Sequence, residues 1–165
     1  MEKYIDTLIK SLKIVQSVLI VTLFFFLLAI LFLVNMEKIA TLQLDAAQVH
    51  IILSVVILIF VAGVLGGQWL FKKRLNIAKN TPKTILFQRY RELFIMRSSF
   101  VAMNGFIALV CYYLLAQNTF IILAGLSVLL MLLYFPSKRK MFIDLQLKEK
   151  DLIEQEHKKE GYRDE

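Results

Sequence analysis

The chain has 165 residues, the length of one domain, yet 58% of them are hydrophobic, against about 45–50% for an ordinary soluble domain. Its net charge of +7 is unevenly placed, and four stretches, about 14–34, 49–71, 98–116 and 119–135, contain no Asp, Glu, Lys or Arg at all. Helices in a water-soluble bundle need a polar face, so that class is excluded. The pattern predicts an all-α, polytopic membrane four-helix bundle, because about 20 apolar residues cross a hydrocarbon core about 30 Å thick.

Before the first span, Tyr4, Ile5, Leu8, Ile9 and Leu12 recur at helical spacing, with Lys3, Asp6, Lys10 and Lys13 on the other side. This amphipathic stretch either lies in the membrane interface or extends the first helix. The span itself is longer than a signal-peptide core, and no small-x-small cleavage site follows it, so it reads as a retained helix.

The second span carries "AGVLGG", in which Gly63 and Gly67 make a small-x-x-x-small pair. Small residues allow close helix contact in lipid, either within the chain or between two copies. His50, Ser54 and Gln68 form a sparse polar line on the same helix. Trp69, and later Tyr112, Tyr113 and Tyr134, fit interfacial anchors.

Between the second and third spans lies a basic segment, 72–97, with Lys72, Lys73, Arg74, Lys79, Lys83, Arg89, Arg91 and Arg97. It breaks at "NTP". Pro82 suits the first turn of a new helix, with Asn80 or Thr81 as its cap. A helical hairpin results, in which Leu86, Tyr90, Leu93 and Phe94 share one face of the returning arm.

In the third span Arg97, Val101, Asn104, Ala108 and Cys111 recur at spacings of four and three, a small and polar stripe that faces protein rather than lipid. It is either a packing contact or a polar site. After Pro136, the tail 136–165 carries eight basic and eight acidic residues. Its broken apolar stripe predicts a C-terminal helix, packed against the hairpin, paired with another copy, or free. The chain thus divides into a transmembrane domain, 1–135, and a charged tail.

Lys and Arg number 3, 1, 8, 0 and 8 in the five segments outside the spans. The positive-inside rule then puts both termini, the hairpin and the tail helix in the cytoplasm. No span holds a carboxylate, which argues against ion-coupled carriers and proteolipid rings. No catalytic cluster, cofactor-binding motif or metal-ligand set is present, and the lone Cys111 makes no disulfide within the chain. Topology already accounts for the positive charge, so nucleic acid is not an expected partner.

From residue 88 to 147 the layout resembles small uncharacterised four-helix bacterial inner-membrane proteins. The matching stretches are "YRELFIMR" (Tyr90–Arg97), "FPSKRK" (Phe135–Lys140) and "DLQL" (Asp144–Leu147). In those proteins a Glu-Gly pair commonly follows the first stretch, where this chain has Asn104–Gly105. The resemblance implies a bacterial cytoplasmic-membrane protein and no known activity.

Taken together, the residues point to a non-catalytic interaction protein, scaffold or complex subunit. Its basic hairpin would meet anionic lipid headgroups, a protein partner or another copy of the chain. A small transporter or channel component, using the helix-three stripe, is the alternative.

Overall fold

The computed structural model describes residues 2–36, 44–78 and 82–145. Five helices follow in order: α1 (Glu2–Asn35), α2 (Ala46–Ala78), α3 (Lys83–Leu115), α4 (Asn118–Leu133) and α5 (Lys138–Leu145). The described residues contain no strand.

α1, α2 and α3 are each long and apolar enough to cross a membrane, the architecture of a multi-pass membrane protein. α4 has 16 residues, or about 24 Å of helix at 1.5 Å per residue. That is less than the usual span, and the chain bends by 83° between α4 and α5. Among the described residues three helices therefore meet the length of a span unaided, and a fourth is reached only if α4 and α5 count as one bent span.

α3 is the axis, and α1, α2 and α4 all pack against it. Half of its most apolar stretch is buried, against 6% of that of α1 and 11% of that of α2. The outward faces of the other two carry Val21, Phe25 and Phe32, and Ile51, Leu58 and Leu65, all exposed. A continuous apolar belt of this size suits lipid.

Two different interiors share the length of α3. In the apolar half, Leu23, Val101, Ala108, Ala124 and Met131 form one cluster, and Val56, Tyr112 and Phe120 another nearer the far end. α3 is closely approached at Gly105, where an added Cβ would lie 2.8 Å from Leu23 Cδ2 and 3.0 Å from Ser127 Cβ. A side chain there would press on the neighbouring α1 and α4 alike.

At the charged end a separate core forms. Ile5, Leu8 and Leu12 of α1 meet Phe71 and Leu75 of α2, Phe87, Tyr90 and Phe94 of α3, and Met141 and Leu145 of α5. The amphipathic start of the chain thus extends the first helix without a break. α5 is tied down as well, since Lys138 pairs with Asp6 of α1.

The α2–α3 turn differs in one detail from the expectation. Pro82, with φ −50° and ψ 144°, is the N-cap of α3 rather than a residue of its first turn. Its carbonyl accepts the first helical bond from the Leu86 N–H at 3.0 Å, and an extended ψ is what the cap position requires. Asn80 and Thr81 lie outside the described residues, as do Leu152 and Ile153 of the tail stripe.

α3 ends on Ala116, whose φ of 51° is left-handed and whose N–H bonds Tyr112 O at 2.8 Å. A side chain in that conformation costs about 1–2 kcal/mol. Ala116→Gly should therefore raise the melting temperature in detergent. Leu12→Ala, at a position 1% exposed, should lose about 2–5 kcal/mol of stability. Phe25→Ala, facing outward, should change it little, as thermal unfolding followed by circular dichroism would register.

Candidate functional site

Arg97 closes the charged core against the apolar one. It follows Phe94 by three residues, so the two share a face of α3. Its guanidinium lies over Phe71 of α2 at 4.4 Å, over Tyr134 after α4 at 4.5 Å, and over Phe94 at 5.2 Å. Each ring presents its electron-rich face to the cation. The Tyr134 ring is itself steered, because the Gln68 side-chain amide donates to its hydroxyl.

The chain reaches this position because α4 stops where it does. Pro136 has no N–H to continue a helix, and Tyr134 is the C-cap. Lys140 of α5 then folds back, its Nζ donating to Leu133 O at 2.6 Å and Phe135 O at 3.4 Å. A cation at a helix C-terminus satisfies carbonyls that have no helical partner. The bend also brings Asp144 beneath α3, where its Oδ2 accepts from the Tyr90 hydroxyl at 3.3 Å. Tyr90 in turn stands edge-on to Phe71, with ring centroids 5.9 Å apart.

Beside these groups opens a cavity of about 540 Å³. α2 lines it with Gln68, Lys72 and Asn76, α3 with Tyr90 and Arg97, and the α4–α5 bend with Tyr134, Lys140 and Asp144. Three cations and one carboxylate make it a positively biased recess. Arg97 Nε is buried and has no hydrogen-bond partner among the described residues.

The other basic residues of the hairpin do not join it in one patch. Lys73 lies over Trp69 at 4.6 Å. Arg74 and Arg89 line a second hollow of about 380 Å³ on a different side. Arg89 also pairs with Glu92 at 3.3 Å, an exposed contact of little energetic weight. Arg91 is exposed. Lys79 lies outside the described residues, as does the side chain of Lys83.

Asn104 sits deeper, only 5% exposed, and donates from Nδ2 to Phe60 O of α2 at 3.2 Å. Gly63 faces it, and a Cβ there would come within 2.8 Å of Asn104 Oδ1. A Cβ added at Gly67 would meet Phe100 at ordinary contact distance. Val101 and Ala108 are buried toward α1 and α4. The polar line of α2 is divided: Gln68 opens to the Arg97 cavity, while His50 lines a hollow with Gln117 and Thr119 at the opposite end. Ser54 bonds His50 O within its own helix.

Several residues at or near the site have little signal of their own in the sequence. The Tyr134 ring turns inward over Arg97, and Tyr112 is buried within the protein. Gln16 is fully buried and ties α1 to α4 through Met131 O at 2.8 Å; its signal was being the only amide in the first apolar stretch. The motif stretches beginning at Tyr90, Phe135 and Asp144 meet at the cavity through Tyr90, Arg97, Pro136, Lys140 and Asp144. Comparison with protein-family models, curated proteins and solved structures finds no match to the chain.

The seat of Asn104 yields a paired prediction. Gly63→Ala forces a Cβ against the amide and should destabilise by about 1–3 kcal/mol. Gly66→Ala meets nothing within 4 Å and should leave the thermal midpoint unchanged or slightly raised, as parallel melts in one detergent would resolve.

Proposed function

We propose that this is a four-span protein of a bacterial cytoplasmic membrane, with both termini inside, that acts by binding a partner and not by catalysis. Its working end is the basic hairpin of α2 and α3 together with α5 and the tail. The partners are anionic lipid headgroups and a protein or second copy of the chain docked on the same end.

One observation carries this reading. The basic start of α1, the Lys72–Arg74 run of α2, the arginines of α3 and the Lys138–Lys140 run of α5 lie around a single end of the molecule that has its own apolar core. Such an end persists as a folded platform outside the hydrocarbon, and the positive-inside rule assigns it to the cytoplasm. Near an anionic surface each Lys or Arg contributes about 1 kcal/mol, and salt weakens that attraction. The transporter reading asks for a polar path past Asn104, but that amide is engaged with Phe60 O and closely backed by Gly63.

Two measurements test the proposal. In a Cys111→Ser background, cysteines placed at Gln117 and at Arg139 should label from opposite sides of the membrane, with the Arg139 position reached only from the cytoplasm. Lys72, Lys73 and Arg74 changed together to Gln should reduce both bound anionic lipid and any stoichiometric protein recovered after gentle extraction. If topology and every co-purifying species survive that change, the interaction reading is wrong.

A further inference from the structure

We propose that the cavity beside Arg97 is a binding site for one phosphate ester, with a membrane lipid as its carrier, held by the Arg97 guanidinium and the Lys72 ammonium. The inference rests on the functional reading above, which places this end of the molecule at an anionic membrane surface.

The first argument concerns donors. Aromatic rings attract a guanidinium through its charge, and they offer its five N–H donors no oxygen or nitrogen acceptor. Phe71, Tyr134 and Phe94 therefore hold Arg97 in position without satisfying the bonds it can donate. Nε is buried without an acceptor among the described residues. A planar fork that is fixed in place and rich in donors matches the oxygens of a phosphate, which accept two parallel bonds.

The second argument is charge. Lys140, bonded to the carbonyls of Leu133 and Phe135, and Asp144, which accepts from Tyr90, keep their charges. The recess therefore holds three positive charges to one negative, and the Asn76 amide lines it with Arg97 and Lys72. The third argument concerns the carrier. Leu133 and Ile143 line the same cavity and are 60% and 65% exposed, giving a polar floor an apolar lip. Arg97 also directly precedes the uncharged stretch of α3 that begins at Ser98, the depth at which lipid phosphates lie. A volume of about 540 Å³ is within the range of small-molecule sites, about 300–1,000 Å³.

Purified full-length chain should be stripped of lipid and titrated with phosphatidylglycerol, with bound lipid counted by native mass spectrometry. One molecule per chain should bind. Arg97→Gln should weaken binding about tenfold or more, the worth of a charge-assisted bond. Lys72→Gln, at the exposed rim where folding is not at stake, should weaken it severalfold. Lys13→Gln, an exposed cation of α1 outside the cavity, should not alter it.

Glycerol 3-phosphate as competitor separates the carriers. If it does not displace the lipid, the diacyl form is the ligand; if it displaces the lipid at equal concentration, the site takes a soluble phosphate ester. Absence of binding by either probe overturns the proposal. Equal weakening by Lys13→Gln and Arg97→Gln also overturns it, since diffuse charge then suffices, and that result leaves the broader interaction reading intact. Labelling that puts this end outside the cell would remove the reading but not a measured phosphate site.

Discussion

The dimension on which the structure depends is a mismatch of lengths. α1, α2 and α3 have 34, 33 and 33 residues, about 50 Å each at 1.5 Å per residue. A hydrocarbon core is about 30 Å thick, so each helix carries a surplus of several turns. The charges lie in the N-terminal halves of α1 and α3 and in the C-terminal half of α2, so under the proposed topology the surplus emerges on one side. There the packing rule changes. Within lipid, small residues and internal hydrogen bonds hold helices together, as at Gly105 and Asn104. In water, burial of Leu12, Phe87 and Phe94 does so at about 25 cal/mol per Å².

Arg97 stands where the two regimes meet, and magnitudes decide what holds it. Taking a guanidinium out of water costs several kcal/mol even after relaxation. A desolvated cation–π contact returns about 2 kcal/mol, so three rings offset much of that cost but leave the in-plane donors unpaid. The residue is thus kept charged and oriented at the floor of a recess, an arrangement that packing alone would not favour over a leucine. Asn104 shows the contrasting case, since it has a carbonyl partner in Phe60 and a glycine seat at Gly63.

What could be read from the residues follows from which signals are local. Apolar runs and the "NTP" break are local, and the helices follow them, with α2 described to Ala78 and α3 from Lys83. The amphipathic start of α1 was legible as a helix, but its role was not, because its partners Phe87 and Met141 are distant in sequence. The same holds at the site. Arg97 and Asn104 stood out as polar residues among apolar ones, whereas the inward turn of Tyr134 depends on the Pro136 bend and on Gln68. The fourth apolar stretch is the shortest of the four, and its helix reaches the length of a span only if α4 and the bent α5 count as one.

The central position of α3 has a consequence for how the molecule comes into being. α1 and α2 leave the ribosome before the helix on which both principally pack. At about 5–20 residues per second, the 37 positions from Ala78 to Leu115 keep them waiting for a few seconds. During that interval Gln16 and the Gly63 surface face lipid or the insertion machinery without their partners. Assembly is then a capture event: the third helix arrives last of the long three and draws its predecessors around it.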